Sequence, residues 1–137
     1  MTFQEVASSL PNGFHDAELQ RFAMDYVHRQ LQFDLRIWIG RMDDQRRREL
    51  YRPAKLTISD VAFLVLEPPD RGYPRLESGP IRIDAGEGQP SQSSSVLPSC
   101  PSGTSAVWMY LEALNGFLLF AAGSAALEWT GPEERRM

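Results

Sequence analysis

Residues 31–39 read LQFDLRIWI, and the spacing of their apolar side chains decides the fold. Leu31, Phe33, Leu35, Ile37 and Ile39 recur at every second position, with Gln32, Asp34, Arg36 and Trp38 between them. A helix would scatter these five side chains around its circumference. A strand lines them all on one face, because successive side chains of a pleated chain point to opposite sides. The segment reads as a half-buried strand with Trp38 left among the polar set.

Upstream, Phe22, Met24 and Tyr26 alternate with Ala23 and Asp25, and Val27-His28-Arg29-Gln30 is short enough to close a hairpin. The chain begins with a short helix. Thr2-Phe3-Gln4-Glu5 has the spacing of a capping box, and Phe3, Val6 and Leu10 share one helical face. Pro11-Asn12-Gly13 ends that helix, since proline cannot continue the ladder and Asn-Gly tolerates positive φ.

Downstream, residues 41–53 are a polar excursion with a helical turn over Asp44 to Leu50. Leu56 and Ile58 alternate, and Val61 to Leu66 is a continuous apolar run, the pattern of a strand buried on both faces or of a buried helix. Pro68 to Gly72 is a break, and Pro80 to Asp84 is a short strand. Val107, Met109 and Leu111 alternate with Trp108 and Tyr110. Asn115-Gly116 then turns the chain into Phe117 to Ala122, and Gly123-Ser124 turns it into Ala125 to Trp129. A helix across 106–122 is the rival reading there. Gly116 and the β-branched and aromatic cluster before it favour strands.

Gly86 to Gly103 is rich in Ser, Pro and Gly without periodicity and is expected to be a flexible surface loop; residues 131–137 read as a frayed tail. The sum is one α+β domain over residues 1–137. It is predominantly antiparallel sheet of about seven strands, as a sandwich or a strongly curved sheet, with one short N-terminal helix.

With 42% hydrophobic and 23% charged residues, the 137-residue chain has an ordinary globular composition. Cys100 is its only cysteine, so no intramolecular disulfide forms. That lone thiol, with no basic and apolar leader after Met1, points to a reducing cytoplasm. The longest strongly apolar stretch, Phe117 to Leu127, is short of the roughly 20 residues a membrane span needs. The net charge of −4 divides as −2 over residues 1–40, +3 over 41–56 and −5 over 57–137. An acidic chain with one short basic loop is a poor nucleic-acid binder.

His15-Asp16 is the pair that invites a chemical reading. Two histidines and one cysteine supply no Cys₄, Cys₂His₂ or His-Glu-x-x-His set, so neither a metal nor another cofactor is expected. Cys100 has no adjacent base, and serines 91, 93, 94, 95, 99, 102 and 105 sit in the loop region, which cannot hold an attacking geometry. Gly86-Glu87-Gly88 is too short to cradle a phosphate. Asp16 and Glu18, two apart, would share a strand face, and Asp25 and Asp34 would lie across the hairpin; solubilising acids are the commoner case. The catalytic candidates reduce to His15 and Asp16. Their architectural alternative is a turn in which Phe14 drops into the core and Asp16 accepts backbone amides. For binding, the candidates are Trp38 and the exposed run Arg46, Arg47 and Arg48. Trp38, Trp108 and Trp129 would form either a recognition surface or core edges.

Gly13-Phe14-His15-Asp16-Ala17-Glu18-Leu19, followed by a strand pair, Asn115-Gly116-Phe117 and Leu127-Glu128-Trp129, resembles small bacterial immunity proteins of polymorphic toxin systems. The basic loop at 41–55 and the Ser-rich loop at 86–103 have no counterpart in that pattern. The resemblance implies a cytoplasmic, non-catalytic protein that binds a protein partner. The alternative is a small-ligand or catalytic domain with a pocket near His15 and Asp16.

Overall fold

The computed structural model describes residues 1–72, 80–90, 93 and 95–135. Among these described residues there are one α-helix, α1 (Phe3–Ser8), and nine strands. These are β1 (Ala17–Asp25), β2 (Gln30–Trp38), β3 (Leu50–Ser59), β4 (Phe63–Leu66), β5 (Ile81–Glu87), β6 (Ser105–Leu111), β7 (Gly116–Ala122), β8 (Ser124–Trp129) and β9 (Glu134–Arg135). Every pairing is antiparallel, in the order β4-β7-β6-β5-β1-β2-β3-β8, with β9 on β3.

The count exceeds the expected seven in part because the tail read as frayed adds β9 on β3. β3 and β4 are two halves of one bent segment, as are β7 and β8. β3 pairs with β8 up to Ser59↔Ser124, and β4 pairs with β7 from Phe63↔Ala121. Between them, Gly123 N–H donates to Ser59 O and Ala62 N–H to Ala121 O. The bend falls at Asp60, with φ of 53°, and at Gly123, where a Cβ would lie 2.7 Å from that of Asp60. The ladder path is open, but its two ends belong to one folded ribbon, so the sheet rolls around its core.

Residues 31–37 behave as the alternation predicts: Leu31, Phe33, Leu35 and Ile37 are buried. Phe33 meets Phe120 of β7 with centroids 6.0 Å apart, a contact across the rolled sheet. The capping box forms, with Thr2 N–H donating to Glu5 Oε1 and Glu5 N–H to Thr2 Oγ1. Phe3, Val6 and Leu10 seat the helix on the core, and Phe3 stacks on Phe14 at 5.1 Å.

Several expectations need correction. The first strand starts at Ala17, not Phe22, because a bulge between Leu19 and Arg21 switches which positions face inward. Val61 to Leu66 is not a doubly buried strand: Leu66 is 58% exposed, and the strand buried throughout is β7. The 106–122 segment is two strands, joined by a 3₁₀ turn (Glu112–Leu114) with Asn115 left-handed, in place of a two-residue Asn-Gly turn. β5 continues through Gly86 and Glu87, so the loop read from 86 begins later. In that loop Ser91, Gln92 and Ser94 lie outside the described residues. The tail pairs with β3 through Glu134 and Arg135, and residues 136–137 lie outside the described residues. The expected helical turn over Asp44 to Leu50 is absent: residues 45–49 form turns and Leu50 begins β3. Among the described residues no helix is long and apolar enough to cross a membrane.

Candidate functional site

Trp38 and the three arginines are brought together, but not as one surface. Trp38 is buried on the outer face of β2, and its Nε1–H donates to Arg48 O at 2.7 Å. The loop from Arg41 to Glu49 covers it and leaves Arg46, Arg47 and Arg48 exposed. Gly40 makes that fit, since a Cβ there would overlap the Arg47 carbonyl and sit 2.7 Å from Trp38 Nε1. Gly40→Ala is therefore expected to cost about 2 kcal/mol by overpacking, read as a lower thermal midpoint, with amide exchange faster over 41–49.

His15 stands 59% exposed at the entry to β1. Its Nε2 is 3.5 Å from Asp16 Oδ2 and its Nδ1 is 3.7 Å from Asp84 Oδ2. These exceed hydrogen-bond length, so they are ion-pair contacts only when the ring is protonated. Asp16 has φ of 56°. The turn is pinned by Asn12, whose Nδ2 donates to Trp38 O and Gly40 O. His28 pairs with Asp25 at 2.8 Å at the far end of β1, about 30 Å along the strand from His15. Asp25 also accepts the amides of Val27 and His28, and these His28 contacts hold its carboxyl below the usual range. Asp34 faces Arg21, not Asp25, in the register. Among the described residues no group of three or more His, Cys, Asp or Glu side chains is placed to hold a metal ion.

Among the described residues Glu18 is the buried charge, 1% exposed, between Arg36 of β2 and Arg82 of β5 in the register. Burial, and then the Glu18 charge, push the Tyr51 hydroxyl above its ordinary value, which keeps it neutral.

A concavity lies elsewhere on the outer face, over β5, β6 and β7. It is a groove of about 860 Å³. Trp108, Tyr110 and Phe117 supply its aromatic floor. Asp84, Glu67, Pro68, Asp70, Pro90, Ser95 and Asn115 line the rest. Alternation places Trp108 and Tyr110 outward because Val107, Met109 and Leu111 are buried inward. Trp108 lies over its cross-strand partner Gly86, where a Cβ would be 2.7 Å from the indole Cζ2. Phe117 braces both aromatics, in a T-shaped pair with Trp108 at 6.2 Å and tilted to Tyr110 at 5.2 Å.

The groove carboxylates are held by neutral donors. Glu67 Oε1 accepts the Phe117 amide, and Oε2 accepts the hydroxyls of Ser93 and Ser95. Burial alone would raise the Glu67 pKa. The bonds from Ser95, Ser93 and Phe117 outweigh it and hold the carboxyl below the usual glutamate range. Asp70 accepts from Gly72 N–H and Asn115 Nδ2, while Tyr110 OH donates to Asn115 Oδ1. Asp84 accepts the amide of Ala85 and links the groove to His15.

The three tryptophans do not form one surface. Trp38 is covered, Trp129 sits under Arg52 at 4.7 Å, and Trp108 floors the groove. The sequence did carry a signal for the groove: two aromatics occupying the polar positions of an alternating strand. No protein-family model, curated protein or solved structure matches this chain.

Proposed function

We propose that the protein is a non-enzymatic binding module that engages a protein partner through the groove over β5, β6 and β7. The observation that carries this reading is the braced aromatic floor of Trp108, Tyr110 and Phe117, set in a concavity of about 860 Å³. Aromatic side chains offer large contact area at small entropic cost and are enriched at binding hot spots. The resemblance to immunity proteins of toxin systems agrees with a binding role and supplies no residue of the groove.

The test compares proteins retained by the immobilised wild type with those retained by Trp108→Ala. A protein held by the wild type should be lost, with affinity reduced at least about tenfold. Unchanged circular dichroism establishes that the variant is folded. Retention of the same proteins with the same affinity removes the reading.

One observation favours a second reading, a small-ligand or acid–base site. His15 lies 3.7 Å from Asp84, which lines the groove. Under that reading His15→Ala abolishes turnover or small-ligand binding; under the first, it leaves partner affinity within about twofold.

A further inference from the structure

Resting on the groove reading above, we infer that the group the groove captures is an arginine side chain of the partner, its guanidinium laid on Trp108 and paired with Asp84. Shape and charge point to it independently.

The shape is a flat platform. Trp108 is pressed over Gly86 and stands nearly perpendicular to Phe117, with Tyr110 next to it on the same strand face. A planar, weakly hydrated cation stacks on such a surface, whereas a compact ammonium keeps its water.

The charge is one-sided. Glu67, Asp70 and Asp84 line the groove, and among the described residues that line it none is a lysine or arginine. Of the three, Glu67 is saturated by the Phe117 amide and two hydroxyls, and Asp70 is engaged by Gly72 and Asn115. Asp84 differs. One oxygen accepts from Ala85, and among the described residues the other faces only the 3.7 Å approach of His15. Its side chain remains 48% exposed, two strand positions from the Gly86 on which Trp108 rests. Arg82 shares the outer face but stands opposite Glu18 in the register. A carboxylate beside an aromatic plane offers a guanidinium both of its preferred contacts at once.

The experiment titrates the full chain with N-acetylarginine amide, N-acetyllysine amide and neutral N-acetylcitrulline amide at low salt, following the Trp108 indole N–H and the Tyr110 and Phe117 amides by NMR. The arginine probe is expected to shift these signals with a dissociation constant on the order of millimolar. The lysine probe should bind several-fold more weakly, and citrulline should produce no saturable shift. Asp84→Asn, which keeps the acceptor for Ala85, should weaken arginine about fivefold. Equal binding of citrulline or lysine, an unchanged Asp84→Asn, or no shift with arginine overturns the inference. Those failures are separate from failure of the groove reading, which is decided by partner loss in Trp108→Ala.

Discussion

Phe120→Ala is expected to destabilise the protein by about 3–5 kcal/mol, the range for removing a fully buried aromatic ring. Phe120 is fully buried in β7. It packs edge-on against Phe3 of α1 at 6.5 Å and tilted against Phe33 of β2 at 6.0 Å. Three strands separate β7 from β2 along the sheet, so this contact exists only because the sheet rolls over. Truncation leaves a cavity bordered by the helix and by two walls, each fixed by its own ladder, and such a site collapses poorly. In a domain whose whole stability is about 5–15 kcal/mol, that is a large share. The urea midpoint should fall with an unchanged slope. Tyr26→Ala, at the 81% exposed hairpin tip, should stay within about 0.5 kcal/mol. A loss below about 1 kcal/mol for Phe120→Ala would show that the two walls are not joined through this ring.

The same aromatic cluster shows how far local pattern reaches. Period-two alternation locates β2 and β6 and gives the inward faces of both, since each rule acts between adjacent residues. It does not locate the start of β1, because the bulge beside Gln20 exchanges inward and outward positions, and Ala17 and Leu19 fall out of phase with Phe22 and Met24. Nor does it reveal that Asp60 and Gly123 fold one ribbon into four strands, which depends on two distant corners meeting. The groove is half legible. Trp108 and Tyr110 stand out as aromatics on the polar side of a strand. Its walls come from Glu67, Pro68, Asp70, Pro90, Ser95 and Asn115, which only the ladder order brings together. His15 and Asp16 stand side by side in the sequence, yet the contact that ties His15 to the groove is Asp84 of β5.

Glu67→Ala is expected to cost about 3 kcal/mol at neutral pH and to alter the groove along with stability. The carboxylate serves three donors: the backbone amide of buried Phe117 and the hydroxyls of Ser93 and Ser95. Removing it strands the amide, at about 1–3 kcal/mol, and loses two bonds to a charged acceptor. It also detaches the segment after β5 from the end of β4, so the Trp108 indole signal should move while Trp38, held by Arg48, stays put. Acid gives an independent check. The folded carboxyl lies below its ordinary value, so its ionised form stabilises the fold fully above the unfolded pKa of about 4.3 and ceases to as pH falls through the folded value. Glu67→Gln removes that titration while keeping an acceptor for the Phe117 amide. The gap in urea midpoint between wild type and Glu67→Gln should therefore be widest near pH 7 and shrink on approaching pH 3. The lowered carboxyls of Glu5 and Asp25 titrate in both proteins and cancel from the difference. A gap that stays constant across that range would mean that the charge on Glu67 contributes nothing to holding Ser93 and Ser95, and that the groove wall is fixed by its backbone alone.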